Sequence, residues 1–310
     1  MIDLIRLRAF VFAAESLSFS EAARLLHVTQ PTISHHIKML EKTLGVELFA
    51  RSGHMLKLTE AGRLLLPFAN QLIHQAIEVQ ELMASLQEDI VGHLRIACST
   101  TAGKYILPQL AARFSRRFPG INVTILACRP LHVMPQLLEG EANLAVVSSY
   151  DLCGEGFECQ EFFKDTIDLI VPANHPWTRR DYIEPAELLD EPLLMREPTS
   201  GTRKLLLTEL ARHDIGLNDL DTFLELGNAE AILRTVDAGF GVSFVSSLAA
   251  EYALLLGRVV AVQVADFNLK RTIYMMRRTL EAPNRAQEAF WNFVHDPSNS
   301  DLLRLAGRQS

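Results

Sequence analysis

The 310-residue chain is 48% hydrophobic and 22% charged, an ordinary globular composition that excludes collagen-like, low-complexity and wholly disordered readings. Its net charge of −7 excludes a chain that is basic throughout but leaves room for a local basic surface. Four cysteines are too few for a disulfide-stapled secreted domain, and neither a signal peptide nor a membrane-length apolar run is visible. The expectation is therefore a cytoplasmic protein of about two domains with reduced thiols.

In chain order, Leu7, Phe10, Val11 and Ala14 recur at helical spacing and predict an amphipathic helix that breaks at Leu17 and Ser18. Ser18 with Glu21 fits a capping box, in which the hydroxyl accepts from an orphan N–H and the carboxylate reaches back. It opens a second helix that runs to about His27. Thr29 caps a third helix, whose buried stripe is Ile33, Ile37, Leu40 and Leu44. Pro31 is tolerated in its first turn and Gly45 stops it. Two alternating runs, 46–51 and 54–58, flank a glycine-containing turn and predict a β-hairpin.

Residues 59 to about 89 predict one long helix, with a kink or restart at Pro67. Leu65, Ala69, Leu72, Ala76, Val79, Met83 and Leu86 follow alternating steps of four and three. That heptad seam is the period of helices that pair along their length, against the plainer reading of a helix packed on its own domain. From His93 the pattern changes to apolar strands alternating with helices. Strand candidates are 94–98, 123–128, 144–148, 167–171, 193–195, 223–226, 242–246, 259–264 and 272–276, with helices near 102–117 and 131–139. The rhythm predicts a mostly parallel α/β sheet, and its length suits two small lobes.

Two short helices joined by a tight turn make a helix-turn-helix. The exposed face of the third helix carries Gln30, Thr32, Ser34, His35 and Lys38, which suit base edges and phosphates in a major groove. Arg51, Ser52, Gly53 and His54 at the hairpin tip form a candidate wing. Residues 1–58 hold seven basic and five acidic side chains, so the small positive balance is local to this segment.

At this point the chain closely resembles the LysR-type transcriptional regulators. The match runs through Leu7-Arg8-Ala9-Phe10, Ser18-Phe19-Ser20-Glu21-Ala22-Ala23, Thr29-Gln30-Pro31-Thr32-Ile33-Ser34, Leu40-Glu41, Leu44-Gly45-Val46, Leu48-Phe49 and Leu58-Thr59-Glu60-Ala61-Gly62. The resemblance implies a winged helix-turn-helix DNA-binding domain (1–58) and a linker or dimerisation helix (59–89) with its seam at Leu65, Leu72, Val79, Met83 and Leu86. It implies a two-lobed effector-binding domain like periplasmic binding proteins (93–297), with lobe I about 93–164 and 268–297 and lobe II about 165–267. Gln30, Pro31, Ser34, His35 and Lys38 match residues that face DNA in the family. His35-His36 departs from the Arg-Gln pair of many members, and His54 stands where a wing arginine is common. Imidazole lacks the bidentate fork of arginine.

In the effector half, Ser99-Thr100-Thr101-Ala102-Gly103, Ser148-Ser149, Ser200-Gly201-Thr202-Arg203 and Asn228-Ala229-Glu230 each follow a strand, and three of them open a helix. Hydroxyls and free N–H groups beyond strand carboxyl ends make anion-binding corners. Ser99 to Tyr105 with Leu107-Pro108, and Pro198 to Arg203, look like the members that regulate carbon dioxide fixation and cysteine biosynthesis. The resemblance implies an inducer between the lobes, touching Thr100, Thr101, Ser148, Thr202 and Val245; Arg203 or Lys104 is the expected source of a full charge nearby. Chain crossings near 163–166 and 266–268 are the expected hinge. The expected partners are a double-stranded operator, a small anionic inducer, a second copy in a homodimer or homotetramer, and RNA polymerase as a further candidate. No enzyme, cofactor or metal is expected, since no nucleophile elbow, phosphate loop or metal-spaced His and Cys set occurs. Two other classes stand beside this reading. One is a redox sensor using Cys98 with Cys128 or Cys153 with Cys159, although no Arg or Lys adjoins Cys153 or Cys159 in the chain to lower a thiol pKa. The other is a plain solute-binding module, which the first 58 residues oppose.

Overall fold

A computed structural model describes residues 2–52, 55–84, 91–279 and 284–305. The chain divides into two compact units, Met1–Val91 with Gln136–Ala142, and Gly92–Pro135 with Asn143–Ser310.

The first unit holds α1 (Leu4–Ser16), α2 (Phe19–Leu25), α3 (Gln30–Leu44), a hairpin of β1 (Phe49–Ser52) and β2 (Met55–Leu58), and α4 (Glu60–Ala84). Leu17 in the left-handed region (φ 48°) ends α1. Ser18 accepts from the Glu21 N–H, but the Glu21 carboxylate pairs with Arg24 instead of reaching back, so only half of the expected box forms. Helix α2 stops at Leu25, two residues short of the expected end near His27, which is left-handed (φ 54°). Thr29 caps α3 and Gly45 (φ 72°) ends it. Phe10, Ile33, Ile37, Leu40 and Leu48 are buried together, and Phe49 meets the rings of Phe10 and Phe19 edge-on at 5.6 and 5.3 Å. Gly62 lets α4 pass close to the hairpin: a Cβ there would stand 2.3 Å from the Leu48 carbonyl oxygen.

Helix α4 is a single element through Pro67, so the expected restart does not occur. The proline removes one N–H bond to Arg63, and the turns on either side continue the helix. The seam splits by burial. Leu65 and Ala69 pack into the winged-helix core, whereas Leu72, Val79 and Met83 are exposed, as are Leu64 and Phe68 outside the seam. Leu86 of the seam and Gly53 and His54 of the wing lie outside the described residues.

The second unit contains β3 (Gly92–Cys98), α5 (Thr101–Arg117), β4 (Ile121–Ala127), α6 (Pro130–Leu138, which falls across the division), β5 (Leu144–Val147), β6 (Phe157–Pro172), β7 (Tyr182–Ile183), β8 (Leu193–Arg196), α7 (Gly201–Ala211), β9 (Thr222–Leu226), α8 (Ala229–Asp237), β10 (Val242–Ser246), α9 (Ser247–Leu255), β11 (Val259–Val264), β12 (Lys270–Arg278), α10 (Arg285–Phe293) and α11 (Ser300–Leu305). Eight strands hydrogen-bond in the order β4-β3-β5-β12-β6-β10-β8-β9, and β11 also pairs with β6. The expected parallel pairing is found at the flanks, where β3 runs parallel to β4 and β5, and β8 to β9 and β10, and in the short pair of β11 with β7. The crossing strands β6 and β12 are antiparallel to each other and to their other neighbours β5, β10 and β11. Two such strands, running in opposite directions through both lobes, are what a paired hinge requires. Among the described residues no helix is long and apolar enough to cross a membrane.

Candidate functional site

Helix α3 presents Gln30, Pro31, His35 and Lys38 to solvent, while Ser34 and Thr32 are half-buried. Thr32 is occupied locally, because its hydroxyl lies 2.8 Å from that of the cap residue Thr29. The helix is held to its hairpin by Glu41, whose carboxylate accepts from the N–H groups of Leu48 and Phe49 at 2.8 and 3.3 Å. Arg51 lies on β1, in register with Leu56. The Ile33, Ile37 and Leu40 stripe fixes the rotation of α3, so the polar side chains are displayed by the same packing that forms the core.

In the second unit a cleft of about 820 Å³ opens between the lobes. Its floor and one rim carry Ser99, Ser148, Ser149, Ser200 and Gly201, and Arg203, Lys204 and Asp151 add charge. Lys204, Leu207, Thr208 and Ala211 recur at helical spacing along α7 and make one wall, faced by Leu131 and Pro130. The cleft is polar at the helix start, and its walls set Leu207, Ala211, Pro130 and Leu131 beside the polar Lys204 and Thr208.

The residues expected from the sequence divide by what their side chains already do. Ser99, Ser148, Ser149 and Arg203 line the cleft. Thr100 is buried and caps α5, accepting from the Gly103 N–H at 2.8 Å. Thr101 accepts from an Arg196 guanidinium N–H at 3.1 Å, a bond that joins the two lobes. Thr202 is buried, and its N–H is satisfied by the Ser200 hydroxyl. Asn228 caps α8, accepting from Glu230 and Ala231. Val245 sits in the hydrophobic core beside Ile170 and Leu194. Arg203 itself donates to the Arg196 carbonyl oxygen at 2.9 Å and pairs with Glu225.

Sequence reasoning missed the groups beneath the cleft. Asp165 on β6 is fully buried and pairs with Arg271 on β12, at 2.9 Å to Nε and 2.8 Å to Nη2, while its other oxygen accepts from Ser246 at 2.6 Å. Gly201 closes over this pair: a Cβ there would stand 2.4 Å from Ser148 Oγ and 3.2 Å from Arg271 Nη1. The start of α7 in one lobe thus rests on the end of β5 in the other. Outside this floor, Lys204 reaches Asp151 at 3.7 Å, an exposed pair of little energetic weight.

The cysteines depart from the expectation of reduced thiols. Cys153 and Cys159 form a disulfide, because the intervening turn with Gly156 at φ 83° returns the chain to a Cα separation of 6.0 Å. Strand register also puts Arg278 on the face of Cys159, next to the opposed Met276, a neighbour that chain adjacency did not reveal. Cys98 and Cys128 are free. Burial pushes the Cys98 thiol up to about 11 and raises Cys128 as well, which makes both poor nucleophiles.

Residues 4–63 match the family described as bacterial regulatory helix-turn-helix protein, lysR family, and residues 87–297 match the LysR substrate binding domain. An uncharacterized HTH-type transcriptional regulator of Methanocaldococcus jannaschii is 31% identical over 287 residues, 93% of this chain and 96% of that protein. A probable RuBisCO transcriptional regulator of Nostoc is 30% identical, covering 99% of this chain and 93% of that one. Among solved structures, the LysR family transcriptional regulator CbnR superposes with a TM-score of 0.72 at 22% identity, over 94% of this chain and 98% of that chain. A full-length OxyR variant from Pseudomonas aeruginosa gives 0.71 at 24% identity, over 100% and 99%. These two likenesses show the fold.

Proposed function

The chain belongs to the LysR family, as a DNA-binding transcriptional regulator with an effector-binding domain, and we propose that a small anionic metabolite held between its lobes switches it. The observation that carries this reading is the interlobe cleft, where Ser148, Ser149 and Ser200 meet the first turn of α7. Orphan N–H groups and the helix dipole favour negative charge there. Ligand contacts to both lobes give differential affinity for one lobe angle, which is what a switch needs. Relatives named as probable RuBisCO transcriptional regulators favour a metabolite of carbon fixation. The domain boundaries proposed are those of the sequence reading, with DNA contacts from Gln30, Pro31, Ser34, His35 and Lys38.

A thermal-shift screen of small carboxylates and phosphorylated metabolites tests the switch, since a bound ligand raises the melting temperature by mass action. With the compound so found, Ser148→Ala is expected to lose about 1–3 kcal/mol of affinity in calorimetry, as loss of a buried hydrogen-bond partner does. Operator binding without the compound should be kept. Equal affinity in wild type and variant moves the site elsewhere. A second reading, switching by thiol oxidation, is favoured by the Cys153–Cys159 bond. It requires operator binding to differ between dithiothreitol-reduced and disulfide-bonded protein with no metabolite added.

At the reading helix, Ser34→Ala or Gln30→Ala is expected to weaken specific binding by about 1–3 kcal/mol and relax base preference at one position. Lys38→Ala should instead weaken all sequences alike and lower the salt slope by about one. Unchanged operator affinity across the three variants would remove α3 from the interface.

A further inference from the structure

The two crossing strands have a second face. Lys270 pairs with Thr166, Arg271 with Asp165 and Thr272 with Lys164. Directly opposed residues share a face, and successive residues alternate. Lys164, Thr166, Lys270 and Thr272 therefore stand together, with Asp165 and Arg271 pointing to the other side. The strands border a hollow of about 370 Å³ that these four residues line together with Asn268 and with parts of Asp165 and Arg271.

The charges here are unbalanced. Both lysines are exposed, and neither joins an ion pair among the described residues. Two of the nearby carboxylates are already committed, whereas Asp168, two residues beyond Thr166 on the same strand, keeps a buried oxygen without a hydrogen-bond partner, and burial raises its pKa and favours its neutral form. Asp165 holds Arg271 and Ser246, and Glu209 holds Arg212 and the Asn268 N–H. Lys164 and Lys270 are diagonal neighbours on adjacent strands, about 7 Å apart, where like charges are unfavourable.

We propose that this hollow is a second anion site, separate from the interlobe cleft, which takes a small phosphate-bearing anion bridging Lys164 of β6 and Lys270 of β12. A phosphate group near neutral pH carries close to two charges and three strong acceptor oxygens. Two ammonium groups can neutralise it as point charges, and Thr166 and Thr272, which line the same hollow opposite the lysines, add hydroxyl donors. A carboxylate would leave one ammonium uncompensated. Because the lysines belong to the two strands of the hinge, the bridging anion restrains the hinge itself. It is thereby coupled to lobe closure, and the coupling is reciprocal with whatever the cleft binds.

The test titrates the full-length protein with inorganic phosphate, pyrophosphate and a sugar phosphate, by calorimetry, in 0.15 M salt (about 8 Å of screening length). Hydrogen exchange with and without pyrophosphate locates the effect. The expected result is binding of at least one of these, with slowed exchange over 163–166 and 268–272. Lys164→Gln with Lys270→Gln should lose at least ten-fold in affinity while melting like the wild type, since both side chains are exposed. Preference among the three compounds separates free phosphate from an organic phosphate as the source. Equal affinity in the double variant, or protection confined to the Ser148 and Gly201 region, overturns the proposal. So does binding seen only at low salt, which marks diffuse attraction. None of these outcomes depends on the cleft reading, whose own test uses Ser148.

Discussion

Asp165→Asn is expected to destabilise the effector half by about 3–5 kcal/mol, the usual result of stripping one partner from a buried ion pair. Asp165 exposes 0% of its side chain and Arg271 only 9%, so water cannot replace the lost charge. The amide can still accept from Ser246, which leaves the uncompensated guanidinium as the main cost. For a domain of this size the melting temperature should fall by about 10 °C. The pair also joins β6 to β12 where both cross between the lobes, so loosening it should speed hydrogen exchange there before global unfolding. Asp165→Leu combined with Arg271→Met removes both charges and should recover part of the loss, because apolar replacements of a buried pair are often neutral or better. A single variant that melts within about 1 °C of wild type would show that the pair does not hold the hinge. A double variant as unstable as the sum of both singles would show that the two charges do not interact.

How far the sequence could be read depended on the range of the interactions. The N-terminal unit was readable because caps act within four residues. Ser18, Thr29 and Gly45 each sit where their chemistry predicts. The Glu21 half of the box failed for an equally local reason, competition from Arg24 one turn on. The same logic misleads in the effector half. A Ser, Thr or Asn at a helix start suggests a ligand corner, yet Thr100 and Asn228 spend their oxygens on their own backbones. Helix α7 offers Lys204, Leu207, Thr208 and Ala211 as a stripe, and nothing in a stripe tells a cleft wall from a core face. The first half of β6 was missed because Phe162 and Phe163 are both buried, which breaks the alternation, and because its partner β12 lies far along the chain. Asp165 and Arg271 are 106 residues apart, and Thr101 and Arg196 are 95 apart. Such pairs leave no periodicity to detect.

Leu72→Asp combined with Val79→Asp should produce a monomer that keeps its fold and loses operator binding. The argument starts from the split of the α4 seam. Leu65 and Ala69 are used inside the winged-helix core, so mutating them would unfold the unit and test nothing. Leu72 and Val79 are 41% and 58% exposed, as are Leu64, Phe68 and Met83 to similar or greater degree. A helix face with that much apolar surface gains about 1.5–3 kcal/mol for each large side chain it buries against a partner. We propose a second copy as that partner, in a two-fold arrangement. Two-fold symmetry then sets each introduced carboxylate against its equivalents across the seam, so repulsion adds to the lost burial. Within one protomer both positions face water, and the substitutions should leave circular dichroism and the melting of the winged helix nearly unchanged. An operator read by two reading helices has two half-sites, and a monomer forfeits the effective concentration that links them, roughly 10²–10⁴-fold in affinity. Sedimentation velocity and operator titration on the same sample separate the outcomes. An unchanged oligomer refutes the paired helix. A folded monomer that still binds the full operator with wild-type affinity would show that pairing through α4 is not what places the two reading helices on DNA.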